Sequence, residues 1–264
     1  MSKNIHLLAI DVQNDFANPT GSLFVSGADQ DAKRLSKFIN KMGKEISDIH
    51  VTLDSHKCIQ IFFSIFWVDS EGNHPKIFTI ITLDDIDSGK WKCFKPEWQG
   101  RAANYVRQLA KNGRYPLIIW TDHCIEGGWG NSLVPSFSDS LIKWEKDNFK
   151  SVNYLRKGSS TFTENYSVYS ADVTDPLDKS TWPNTQLKSI LEPADEILVG
   201  GEALSHCVAA SIRDLNRAGI EASKFVLLRD TTSNVPTFEK FGEDFIKEMT
   251  ERGMRVTTTE DYLA

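Results

Sequence analysis

The sequence predicts an α/β fold: a doubly wound (Rossmann-like), mostly parallel sheet with helices on both faces. Three observations predict it. Apolar strand-like runs alternate with helical patterns from end to end. No linker-like, low-complexity or repeated stretch divides them, so residues 1–264 read as a single domain. Reactive polar side chains fall just past the ends of several strand-like runs, where ligands sit in such sheets.

Each element follows from its pattern. Residues 5–10 (IHLLAI) read as a buried strand. Residues 31–46 have helical periodicity, with Leu35, Phe38, Ile39 and Met42 on one face. A second strand is expected at 49–53, a helix at 101–111, a short apolar strand at 117–120 and a helix at 136–148. Then come a strand at 152–155, a short helix at 186–191 and a strand at 197–199. A turn holding Gly200 and Gly201 leads into a helix over 208–218, stopped by Gly219. The chain closes with a strand at 225–228, a helix at 238–252 and a strand at 254–257. Residues 59–99 break the rhythm. They read as two strands around a polar turn at 70–75, followed by Trp91 and Trp98. The expectation is a rim insertion, serving either as a subunit contact or as a lid or loop with its own small core.

Composition narrows the class. A chain of 264 residues, 40% hydrophobic and 25% charged, can bury a sizeable core. Its net charge is -6 and its lysines and arginines are dispersed, which argues against nucleic acid as a partner. Four cysteines, at 58, 93, 124 and 207, show no CxxC spacing. That pattern argues against a disulfide framework or structural zinc and fits a reducing cytoplasm. The apolar run before Asp11 is too short for a signal peptide, and residues 59–68 are far too few for a membrane span. A cytoplasmic homo-oligomer acting on a small molecule is expected.

The chemistry-bearing residues sort into two sets. Asp11 closes the first strand, Lys157 follows the one at 152–155, and Cys207 stands where the helix after Gly201 begins. A thiol at a helix N-terminus ionises more easily, and the thiolate is the nucleophile. A carboxylate can carry its proton, an ammonium beside both favours the thiolate, and the helix N–H groups can hold an oxyanion. Asp54 and His56 close the second strand as a D-x-H pair, and His123 follows residues 117–120. Side chains two apart on a strand share a face, so this O/N/N set suits a divalent transition metal with open positions. Taken singly, each residue has a plainer reading: a structural buried cysteine, a turn-capping Asp11, a solvated Lys157, a satisfied His123.

At these residues the chain resembles the nicotinamidase/pyrazinamidase group of the isochorismatase-like cysteine hydrolases. The matching pieces are DVQNDF at 11–16, LDSH at 53–56, WTDHCIEGGWG at 120–130, RKGSSTFTENYSVY at 156–169 and GGEALSHCVAAS at 200–211. They span most of the chain in the family's order. The resemblance implies that Asp11, Lys157 and Cys207 form a catalytic triad. It implies one metal, zinc foremost with iron or manganese as alternatives, on Asp54, His56 and His123. Backbone N–H groups of Ala203 and Cys207 would form the oxyanion hole, with a cis peptide between Glu202 and Ala203. Phe16, Trp120 and Tyr166 match positions that enclose the substrate ring, and Gln13 supports the site from behind. Three positions depart from the pattern. Phe62 stands where some relatives carry a further metal ligand, Thr121 follows Trp120 in place of proline, and Glu202 enters a run that is usually apolar.

The implied reaction is hydrolysis of nicotinamide to nicotinate and ammonia through a cysteine thioester, in NAD salvage. Two other readings remain open at this stage: a cysteine hydrolase of another small amide or carbamoyl compound, and a catalytically silent binding module on the same fold.

Overall fold

The computed structural model describes residues 3–264. Its centre is a six-stranded sheet in which every neighbouring pair is parallel. The strands are β1 (Ile5–Ile10), β2 (Asp48–Asp54), β3 (Asn153–Lys157), β4 (Glu196–Gly201), β5 (Phe225–Leu228) and β6 (Arg255–Thr257). Their spatial order is β6-β5-β4-β1-β2-β3. The chain therefore runs outward from β1 to one edge, returns to β4 beside β1, and runs outward to the other. The crevice at that reversal is where such folds place ligands.

Burial follows position in the sheet. Every residue of β1, β4 and β5 is buried, as expected for parallel strands covered on both faces. The edge strand β3 alternates, with Tyr154 and Arg156 turned to solvent. The crossovers are α1 (Ala28–Met42), α2 (Gln99–Lys111), α3 (Pro135–Asn148), α4 (Thr185–Leu191), α5 (Ala209–Arg217) and α6 (Glu239–Glu251). α1 packs on α3 and against β4. Its buried stripe of Leu35, Phe38, Ile39 and Met42 is the one the periodicity predicts. α5 and α6 pack on each other and on the turn that precedes α5. No helix among the described residues is long and apolar enough to cross a membrane.

Two expectations fail. Residues 117–120 do not enter the central sheet. Leu117–Ile118 pairs antiparallel with Ile80–Ile81 in a separate two-stranded sheet. Nor do residues 59–99 form one hairpin around the polar turn. Trp67–Val68 pairs with Lys92–Cys93, and a short helix, Leu83–Asp87, opens with a capping box between Thr82 and Asp85. Both errors share a cause. A four-residue apolar run does not name its partner, and here the partner came from the segment that interrupts the repeat. That segment also carries core residues. Phe62, Phe63, Phe66 and Trp67 are fully buried.

β4 ends against β1 at close quarters. Gly201 has φ +105°, and a Cβ there would lie 2.0 Å from the carbonyl oxygen of Ile10. Only glycine meets both conditions. Gly201→Ala should lower unfolding free energy by about 3 kcal/mol or more, read as a fall in urea midpoint. An unchanged midpoint would show that the two strand ends do not close as described.

Candidate active site

The carboxyl ends of β1, β2, β3 and β4 converge on one buried cluster. Asp11 follows β1 in a left-handed conformation, φ 47°. Thr52 of β2 accepts from the Asp11 N–H at 2.9 Å and donates to Asp11 Oδ1 at 2.5 Å, which fixes the carboxylate. Lys157, the last residue of β3, is 5% exposed, so its ammonium must find partners inside. They are Asp11 Oδ2 at 2.9 Å, Asp54 Oδ1 at 3.1 Å, the Asn165 carbonyl at 3.0 Å and Cys207 Sγ at 3.6 Å. The residues expected as two separate sets are thus one network. Asp54 belongs to both, with one oxygen on Lys157 and the other facing the histidines.

The electrostatics divide the carboxylates. Burial pushes Asp54 up, but His56 and Lys157 outweigh it and hold the group well below its usual range. Burial wins at Asp11, with Asp54 adding to it against Lys157, so Asp11 takes up a proton more easily than an ordinary aspartate. Burial depresses Lys157, yet Asp11 and Asp54 more than reverse this and keep it charged. The expected thiolate does not follow. Burial pushes the Cys207 thiol well up; Lys157 pulls it down, while Asp11 and Asp54 push it further. A helix N-terminus and one ammonium predict a lowered thiol, but burial and the two carboxylates that share that ammonium outweigh them. Cys207 and Asp11 therefore share the task of holding a proton.

Cys207 also does not begin an α-helix. It lies in a π-helical turn, Leu204–Val208, and α5 starts at Ala209. Such turns recur at functional sites. The His206 and Val208 N–H groups both bond the Ala203 carbonyl, at 3.0 and 3.1 Å. The peptide between Glu202 and Ala203 is cis. Ala203 and Cys207 both line the cavity described below.

The second half of the cluster is Asp54, His56 and His123, with ligand atoms within 4.8 Å of one another. His56 Nδ1 donates to the Gly158 carbonyl at 2.9 Å, and His123 Nδ1 donates to the Thr121 carbonyl at 2.8 Å. Those bonds fix the tautomers, so both Nε2 lone pairs turn toward Asp54. His56 Nε2 stands 3.0 Å and His123 Nε2 3.7 Å from Asp54 Oδ2. Lone pairs aimed at a carboxylate repel unless a proton or a cation lies between them. His56 shows the demand: burial lowers it, but Asp54 overrides this and holds it up at about 9. The donor set, tautomers and open side fit a divalent metal. His123 reaches the site without a strand of the central sheet. Isolated bridges, Phe63 to Trp120 and His56 to Ile125, lay its segment beside the chain after β2. Phe62, where a fourth ligand was considered, packs edge-on against His56 with centroids 4.9 Å apart.

Between these groups lies a cavity walled by Phe16, Trp120, Tyr166, His123, Cys207 and Val235, among others. Trp120 Nε1 donates to Tyr166 Oη at 2.9 Å, which sets the two rings nearly perpendicular, at 85°. Gln13 does not line it. Its amide grips the Asp54 backbone from behind, donating to the carbonyl and accepting from the N–H, each at 2.8 Å. Sequence reading passed over two wall residues. Glu164 is buried, which raises its carboxyl despite His56 nearby. Its place two residues before Tyr166, within a matched motif, was the available signal. His206 is buried in aromatic rings and pushed down to about 3, so it stands neutral beside Cys207. It adjoins Cys207 in the sequence, but nothing there distinguishes a wall residue from a core one.

No protein-family model matches the chain. It is 25% identical over 207 residues to the nicotinamidase of Saccharomyces cerevisiae, covering 78% of each chain. A solved structure of that yeast enzyme superposes with a TM-score of 0.68 at 20% identity, over 96% of this chain and 99% of the other. Another holds the inhibitor nicotinaldehyde. The Acinetobacter baumanii nicotinamidase/pyrazinamidase gives a TM-score of 0.67 at 20% identity, covering 98% of both chains. The zinc complex of the Pyrococcus horikoshii pyrazinamidase gives 0.57 at 19%, over 97% of this chain and 99% of that one. The chain is thus similar in sequence to the yeast nicotinamidase and shares its fold with all three enzymes.

Proposed function

We propose that this chain hydrolyses nicotinamide to nicotinate and ammonia, with Cys207 as nucleophile and Asp11 as proton carrier. One observation carries the reading. The Lys157 ammonium touches Asp11, Asp54 and Cys207, and the last two line an aromatic-walled cavity that His123 of the candidate metal-ligand set lines as well. Proton flow follows from the electrostatics. Asp11 takes the thiol proton as Cys207 Sγ bonds the amide carbon, and the Ala203 and Cys207 N–H groups hold the oxyanion. Asp11 then passes that proton to the amide nitrogen as the C–N bond breaks, and ammonia leaves. A water attacks the thioester, giving its proton to Asp11, which returns it to Cys207 as the C–S bond breaks. Lys157 stays charged throughout, orienting Asp11 and offsetting negative charge that would otherwise be buried unpaired. Glu164 adds a further buried carboxyl near the histidines.

Phe16, Trp120 and Tyr166 enclose the substrate ring. Asp54, His56 and His123 would hold one divalent ion, zinc foremost, which would anchor a ring nitrogen. Purified protein should therefore contain about one equivalent of divalent transition metal, and His56→Ala should weaken its binding more than ~100-fold. An empty site at saturating metal, measured by equilibrium dialysis and elemental analysis, would refute the ligand set. Benzamide has the shape of nicotinamide without the ring nitrogen. Its kcat/KM should be lower by about 100-fold or more. Equal ammonia release from both would remove the anchor. Brisk hydrolysis of an aliphatic amide with none of nicotinamide would favour the other amidase reading.

The wider setting is part of the same proposal. The chain acts as one domain with residues 59–99 as a rim insertion, in the cytoplasm, and as a homo-oligomer. Four free cysteines agree with a reducing compartment. Ile65, Ile77, Ile80 and Phe94 on that insertion are solvent-exposed, as a subunit contact would leave them in the isolated chain.

A further inference from the structure

Glu202 is the departure whose place in the fold says most. It precedes Ala203, whose N–H is assigned to the oxyanion, yet its side chain does not line the cavity. It turns the other way and is 1% exposed. There Glu202 Oε2 accepts the Ser233 N–H at 3.2 Å, and the Ser233 carbonyl accepts the Leu204 N–H at 2.8 Å. Residues on both sides of Ala203 thus grip the same residue, Ser233. Ser233 Oγ in turn donates to Asp31 Oδ2 at 2.5 Å, near the start of α1. The Glu202 N–H donates to the Ile10 carbonyl at 2.7 Å, tying the clasp to the end of β1 next to Asp11.

Among the described residues no cation pairs with Glu202. From α1 come Asp31 and Arg34, but Arg34 pairs with Asp31 and the Asp230 carbonyl. From the turn after β5 comes Arg229, which donates to the Thr232 carbonyl at 2.8 Å. Among the described residues, Glu202 Oε1 is buried with no hydrogen-bond partner. An ionised carboxylate so placed faces a second carboxylate in a dry site, whereas the acid form can donate to Asp31. Burial first, then Asp31, push this carboxyl well up.

We propose that Glu202 is a positioning residue: by holding the Ser233 N–H while Ser233 holds Leu204, it sets where the Ala203 N–H points. The assignment rests on the amidase reading above, and the test separates the two. Nicotinamide turnover by the unmodified enzyme checks that reading first. Iodoacetamide alkylation of Cys207, which needs no oxyanion donor, gives a second scale independent of substrate. Glu202→Ala should lose about 10- to 100-fold in kcat, with KM and the alkylation rate within about threefold of the parent. Glu202→Gln keeps the shape, an acceptor for Ser233 and a donor for Asp31, and cannot ionise. It should stay within about threefold in kcat. Unchanged kcat in Glu202→Ala overturns the proposal. So does a Gln variant as impaired as the Ala variant, since that would require the charge. Parallel collapse of kcat and alkylation would mark a general loss of the turn and equally overturn it. Should Glu202→Ala not fold, as judged by circular dichroism, Glu202→Met fills the space without hydrogen bonds and takes its place in the comparison.

Discussion

Cys207→Ala should abolish ammonia release, lowering kcat by about 10^5-fold, with thermal melting within a few degrees of the parent. In the proposed mechanism the chemistry depends on one sulfur, 3.6 Å from the Lys157 ammonium. The fold does not: alanine removes one atom from a side chain already at the cavity wall. The same reasoning sorts the remaining cysteines. Cys58 is exposed and should alkylate readily without loss of activity, whereas Cys93 and Cys124 are buried and burial pushes both thiols up. Peptide mapping of partly alkylated enzyme should show activity tracking Cys207 alone. Its alkylation should also be slow near neutral pH, because burial outweighs Lys157 and keeps the resting thiol protonated. Normal turnover by Cys207→Ala would remove the covalent mechanism. It would leave the metal-ligand set to act by another route.

The parts of this site legible in the sequence are those fixed by local pattern. A six-residue apolar run ending in Asp11, the D-x-H spacing of Asp54 and His56, and Lys157 after a strand are readable because strand periodicity and strand ends are local. The central parallel sheet follows from the same alternation. What was misread depends on contacts between distant segments. Residues 117–120 look like another strand of the central sheet, but Ile80–Ile81 claims their edge, so His123 arrives along a bridge beside His56. Cys207 looks like a helix start. The π-turn there is set by tertiary packing, including the Ser233 carbonyl on Leu204. The direction of the Cys207 shift is the clearest case. It depends first on how deeply the sulfur is buried and then on how many carboxylates share one ammonium, and no spacing in the chain records either. Gln13 was placed behind the site by resemblance, and its paired bonds to the Asp54 backbone give the physical reason.

Lys157→Met should lower kcat by about 10^3-fold or more, and its pairing with Asp11→Asn should be far from additive. Methionine keeps the stem and removes the ammonium in contact with Asp11, Asp54 and Cys207. Two consequences separate this variant from a simple catalytic loss. Asp11 and Asp54 are then buried without their cation, which destabilises a fold by about 3–5 kcal/mol unless they take up protons. Lys157 is raised in the folded state, so the stability it contributes is fully present below the ordinary lysine value of 10.5. That contribution is lost only as pH rises through the raised value. The stability gap between parent and variant should therefore persist across neutral pH. It should narrow on acidification, as Asp11, already displaced upward, accepts a proton and removes part of the unpaired charge. Asp11→Asn should relieve the same charge, so the double variant should be more stable than Lys157→Met alone while just as inactive. Urea midpoints for the four proteins at pH 5, 7 and 9 make the comparison. A Lys157→Met variant with near-normal kcat would dismiss the triad, and additive losses would show that the three residues do not act as a unit.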